Sequence, residues 1–146
     1  MDAMTILKRC REAPKDLETL EIRIRQRREA LTQVSAAADQ GGGRGTPGDR
    51  MAAVVAAIAD IEQQATERRQ RLSVEVAAAC VLLDTLDERY SRVLHLYYVK
   101  GLTVRLAAKR MKYSEGYLRR LKREAEDAAR AIPEDEVRQS VPEWYR

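Results

Sequence analysis

The chain has no phenylalanine, one tryptophan, one histidine and two cysteines among its 146 residues. Two cysteines, Cys10 and Cys80, cannot build a disulfide framework, and no Cys/His cluster has the spacing of metal ligands. Both are expected as reduced thiols on helix faces, and no metal is expected. His95 sits between Leu94 and Leu96 with no Ser, Asp or Cys partner near it in sequence. No nucleophilic or acid–base constellation is found, so neither enzyme activity nor a cofactor is expected. No apolar run reaches the ~20 residues that span a bilayer, and Met1 to Arg11 lacks the apolar core of a signal peptide. The expected location is cytoplasmic, with no membrane partner. Alternating runs long enough for strands are missing as well.

Hydrophobic residues make up 45% of the chain, but much of that share is alanine. Alanine buries little area, so helices packed through narrow seams are expected rather than a thick core. An all-α fold follows, with a long N-terminal antiparallel helical hairpin ahead of a three-helix module.

The first helix is expected from about Thr5 to Ala37. Ala3, Ile6, Cys10, Ala13, Leu17, Leu20, Ile24, Leu31 and Val34 recur at steps of three and four, broken by Arg27. Pro14 is expected to kink this helix or to restart it. Five glycines and Pro47 fall between residues 41 and 48, which ends the helix. A phosphate-cradling loop would need Lys followed by Ser/Thr, whereas Asp49 and Arg50 follow Gly48. The segment therefore reads as a connector. A second helix is expected from about Asp49, with a seam of Met51, Val54, Ile58, Ile61, Ala65, Leu72, Val76, Ala79 and Leu83, interrupted by Arg68. Residues 1–84 thus form a hairpin held by two stripes, which is also a candidate surface for homo-oligomerisation.

From Leu86 the periods shorten. Asp87, Thr103 and Ser114 are placed to cap helices over about Glu88–Lys100, Val104–Met111 and Glu115–Ile132, with Gly101 as a left-handed stop and Pro133 as a terminator. Between the last two, Lys112-Tyr113-Ser114 has the length of a helix-turn-helix turn. Tyr113 and Leu118 are spaced as a hydrophobic staple. Leu118, Leu121, Ala125, Ala128 and Ile132 make the buried face, opposed by Val93, Leu94, Tyr97, Leu106 and Met111. The tail 133–146 is polar apart from Val137, Val141, Trp144 and Tyr145. Sequence leaves open whether it docks.

The net charge of +4 is mild, yet Gly101 to Glu124 alone holds eight Lys/Arg against two Glu. Gly116, Arg119, Arg120 and Arg123 share one face of the last helix. Cations in the first half of a helix oppose its macrodipole by about 0.3–1 kcal/mol each, so stability alone does not place them there. A solvated basic face would explain any single arginine. The set, beside a correctly spaced turn, points to double-stranded DNA, since arginine reads guanine O6 and N7 with two hydrogen bonds. Ser114 and Gly116 leave room for close backbone approach at a helix start that can hold a phosphate.

The run from Leu86 through Arg89, Arg92, Val93, Leu94 and Leu96 to Gly101-Leu102-Thr103, a small Ala108, and then Tyr113-Ser114-Glu115-Gly116-Tyr117-Leu118 resembles region 4 of sigma-70-type factors. The full layout resembles phage and prophage regulators of the ArpU/RinA kind. That resemblance implies a transcriptional regulator acting in a bacterial host. Ser114, Glu115, Gly116, Tyr117, Arg119, Arg120 and Arg123 would lie nearest the DNA. Arg105 and Lys109, with Lys112 in the turn, would meet its backbone, and RNA polymerase is an implied partner. Lys112 stands where the family's turn often carries glycine, and nothing resembles the sigma segment that melts promoters. Two other functions fit the same pattern: a phage DNA-packaging component such as a small terminase subunit, and a helix-mediated protein-interaction module.

Overall fold

A computed structural model describes residues 1–39 and 47–146. Among them every regular element is helical: α1 (Ala3–Asp39), α2 (Pro47–Leu83), α3 (Glu88–Leu94), a π-helical turn (His95–Val99), α4 (Val104–Met111), α5 (Glu115–Arg130), α6 (Glu134–Gln139) and a 3-10 turn (Glu143–Tyr145). Residues 40–46, most of the expected glycine-rich connector, lie outside the described residues. Pro47 and Gly48 belong to the first turn of α2, where proline loses no hydrogen bond.

The described residues form two compact units, Lys15–Arg69 and Met1–Pro14 with Gln70–Arg146. In the first, α1 and α2 run antiparallel around Leu20, Ile24, Ile61 and Ala65. Ion pairs cross the seam in that sense: Asp16 with Arg68 at 3.2 Å, Glu21 with Arg69 at 3.3 Å, and Arg28 with Glu62. All are exposed, so each contributes about 0–1 kcal/mol and the apolar seam carries the pairing. Arg68, which breaks the apolar spacing of α2, is thereby explained as a partner for Asp16, and Arg27 is exposed.

In the second unit the core gathers Ile6, Leu7 and Cys10 of α1, Ala78, Ala79, Leu82 and Leu83 of α2, and the inward faces of α3 to α5. α1 runs through Pro14 without restarting, leaving only the Cys10 carbonyl short of its usual donor. Toward its end, the buried stripe of α2 widens from the expected Val76, Ala79 and Leu83 to take in Glu75, Ala78 and Leu82. Burial, reinforced by the nearby Glu75 carboxylate, pushes the Cys10 thiol up to about 12.

The tail docks. Val137, Val141 and Tyr145 enter the core, while Trp144 stays 61% exposed. Tyr145 explains the buried Glu75: its hydroxyl donates to Glu75 Oε1 and accepts from Arg9 Nη1 at 2.8 Å. Arg9 and Arg71 also stand over its ring, at 5.8 and 5.2 Å from the centroid. Burial first, and then the Glu75 hydrogen bond, holds the Tyr145 proton on above the ordinary phenol range.

The expected helix over Glu88–Lys100 departs from α geometry after Leu94, where five residues widen into the π turn. Its bond pattern closes around Arg11. The guanidinium donates to the Tyr97 carbonyl and, at 3.0 Å, to the Leu102 carbonyl, and it lies 3.8 Å from the Tyr97 ring centroid. Leu102 N in turn donates to the Leu96 carbonyl at 3.0 Å, and Gly101 supplies the positive φ of 71° that the reversal needs.

Replacing Tyr145 by Phe removes the one hydroxyl that satisfies Glu75 and engages Arg9. The loss is expected to lower unfolding free energy by about 1–3 kcal/mol, read from the urea midpoint. An unchanged midpoint would refute this account of the tail.

Candidate nucleic-acid interface

All three expected caps are made. Asp87 Oδ1 accepts from Arg89 N at 3.0 Å, Thr103 Oγ1 from Leu106 N at 3.2 Å, and Ser114 Oγ from Tyr117 N at 3.2 Å. Each satisfies an amide that the helix cannot, and so fixes where α3, α4 and α5 begin. α5 packs against both α3 and α4 through Leu118, Leu121, Ala125 and Ala129. Ala107 and Ala108 of α4 are fully covered there, so small side chains set the close approach.

The turn between α4 and α5 rests on Lys112, the one non-glycine residue with positive φ among the described residues (φ 61°, ψ 41°). That left-handed residue lets Tyr113 N reach the Ala108 carbonyl at 2.9 Å and Lys112 N the Lys109 carbonyl at 3.3 Å. The pair of bonds is a Schellman closure, which ends one helix and redirects the chain. It forms with lysine where glycine would be unstrained, at a cost of about 1–2 kcal/mol. Tyr113 then meets Tyr117 edge-on, ring centroids 4.8 Å apart, and both pack on the core that holds Leu118. Tyr117, expected toward DNA, is therefore half buried.

On the outward side of α5, Glu115, Gly116, Arg119, Arg120 and Arg123 are exposed, as is Ser114 at its cap. Arg119 pairs loosely with Glu115 at 3.6 Å, a solvent-exposed contact that is cheap to exchange. Among the described residues Arg120 and Arg123 have no ion-pair partner. A Cβ placed on Gly116 would meet open space, so no neighbour within the protein demands glycine there. Arg105, Lys109 and Lys112 are exposed as well, the first two one turn apart on α4.

One cation of the basic run turns inward. Lys122 Nζ binds Glu126 Oε1 and lies 4.3 Å from the Tyr97 ring centroid. Glu126 also accepts from the Tyr98 hydroxyl at 3.1 Å, and burial together with that carboxylate pushes the Tyr98 phenol up. Lys122 therefore braces α5 against the π turn. Only a half-apolar flank beside the arginine stripe could have hinted at this in the sequence.

Residues 82–130, about a third of the chain, match the family described as Sigma-70, region 4. The match runs from the end of α2 through α5, so α3 to α5 constitute a sigma-region-4-like, DNA-binding type of helix-turn-helix. No curated protein matches the chain, and no solved structure does.

Glycine at position 112 relieves left-handed strain but gains freedom in the unfolded chain, worth about 0.4–1 kcal/mol in the opposite sense. Lys112→Gly is expected to raise the thermal midpoint slightly, by up to about 1 kcal/mol of stability, and Lys112→Val to lower it clearly. A valine variant as stable as the glycine one would mean that the turn is not held in this conformation.

Proposed function

We propose that the chain is a sequence-specific DNA-binding transcriptional regulator of a phage or prophage, with α5 as the helix that enters the major groove. The observation that carries this reading is the exposed row Arg119, Arg120 and Arg123 on a helix whose start is fixed by a helix-turn-helix bend. Ser114, Glu115, Gly116 and the open edge of Tyr117 come closest to the bases. Gly116 gains its reason here: a residue with no internal need to lack a side chain allows close approach to the duplex. Arg105, Lys109 and Lys112 hold flanking phosphates and set register.

Residues 85–132 are the reading module in this account. The hairpin within 1–84 is its oligomerisation element, bringing two modules to successive half-sites, and 133–146 is a fastening tail. The resemblance to regulators of the ArpU/RinA kind supports the phage setting, the bacterial cytoplasm as the place of action, and RNA polymerase as the machinery acted upon.

Binding to a duplex selected from random sequence is expected to weaken steeply with salt, with a log–log slope of about −0.9 for every phosphate neutralised. Arg119→Ala with Arg120→Ala should cost about 1–3 kcal/mol per lost base contact and flatten the sequence preference. A complex indifferent to salt and to the double substitution would exclude this function.

A further inference from the structure

The helix-turn-helix module has a second exposed surface, which shares only Lys109 with the residues assigned above to DNA. On α4, Ala107, Ala108 and Met111 face the core, yet Leu106 is 49% exposed. Leu106 and Arg110 lie one turn apart, displaced from Arg105 and Lys109 by one residue step, about 100° around the helix. Two shallow cavities, of about 300 and 390 Å³, meet at Arg110. Arg92, His95 and Leu96 line the first, and Leu102, Leu106 and Lys109 the second. The result is a groove with a leucine floor and a cationic rim. Neither Arg92 nor Arg110 has an ion-pair partner among the described residues.

We propose that this groove binds an acidic amphipathic helix of a partner protein. Carboxylates of that helix pair with Arg92 and Arg110, and its apolar stripe covers Leu96, Leu102 and Leu106. The two halves of the groove select the occupant together. A duplex backbone would satisfy the arginines but has nothing apolar to lay over Leu106. A second copy of this chain offers the acidic turn Glu134, Asp135 and Glu136, but Val137, the apolar residue of that helix, is already buried in its own core. A helix bearing both acid and leucine-like side chains at i, i+3 and i+7 fits both.

The test is selection of a displayed library of random helix-forming peptides on the full-length chain, followed by titration of the enriched peptides by fluorescence anisotropy. Enriched peptides should be acidic and amphipathic. Leu106→Gln, and separately Arg92→Gln with Arg110→Gln, should each weaken them by about tenfold or more. Leu106→Gln should leave affinity for the selected duplex within about twofold, since no phosphate contact is removed. Arg119→Ala with Arg120→Ala should do the reverse, losing DNA but keeping peptide, so the groove and the DNA reading fail independently. Enrichment of no acidic amphipathic sequence, or binding indifferent to both groove variants, overturns the proposal. So does the outcome in which the Arg92/Arg110 pair weakens duplex binding by about tenfold while no peptide binds, since the groove is then an extension of the phosphate-contacting surface.

Discussion

The geometry of the interface depends on one backbone torsion. With φ at 61°, Lys112 ends α4 and turns the chain so that Ser114 can cap α5. Were this residue in the right-handed region, α4 would run on into α5 and the arginine row would lose its angle to Leu118 and Leu121. Two main-chain bonds and the Tyr113–Tyr117 edge contact hold the torsion against a lysine's steric preference. Strain at such a position is tolerated when neighbours over-determine it. The neighbours here are the fully covered Ala107, Ala108 and Leu118.

That bend is useful only on a rigid base, and both ends of the chain help to provide one. Near the N-terminus, Arg11 clamps the carbonyls of Tyr97 in the π turn and of Leu102 beyond it, and Ile6, Leu7 and Cys10 fill the core with α3. At the C-terminus, Tyr145 closes over Glu75 and Arg9. Lys122 and Glu126 tie α5 to Tyr97 and Tyr98 along the flank beside the arginine row. The basic residues of α5 thus divide by role. Arg119, Arg120 and Arg123 stay in solvent, Lys122 is used internally where an aromatic face and a carboxylate compensate for its partial burial, and Arg130 pairs with Glu126 and Asp127 in the last turn.

Local signals in the sequence made the elements of the module readable. Asp87, Thr103 and Ser114 are short polar caps immediately before apolar periods, and their start points agree with α3, α4 and α5. What the sequence hid was non-local. The π turn needs Arg11 from 86 residues away, and no spacing rule within Leu94–Gly101 announces it. Docking of the tail depends on a hydroxyl meeting a carboxylate buried on α2, which neither segment shows alone. Nothing local to α5 sets Lys122 apart from the other cations of the basic run, because its partner ring, Tyr97, lies in the π turn. The arginine row was visible because i, i+3, i+4 and i+7 describe one face of any helix, whatever packs behind it. The leucine-floored groove was not, since the apolar pattern assigns Leu106 to the buried side while the structure leaves it half exposed.

A helix presented in this way, with guanidinium groups outward and its first turn open at Gly116, is suited to the major groove, where guanine offers N7 and O6 to a planar fork. Methylation interference on the selected duplex tests this most directly, because dimethyl sulfate marks guanine N7 in the major groove and adenine N3 in the minor groove. Guanine methylation at the contacted steps should block binding, and the residual low-salt binding of the Arg119→Ala/Arg120→Ala protein should be indifferent to it. Interference confined to adenine N3, or none from guanine N7 within the bound site, would contradict reading of the major groove by α5.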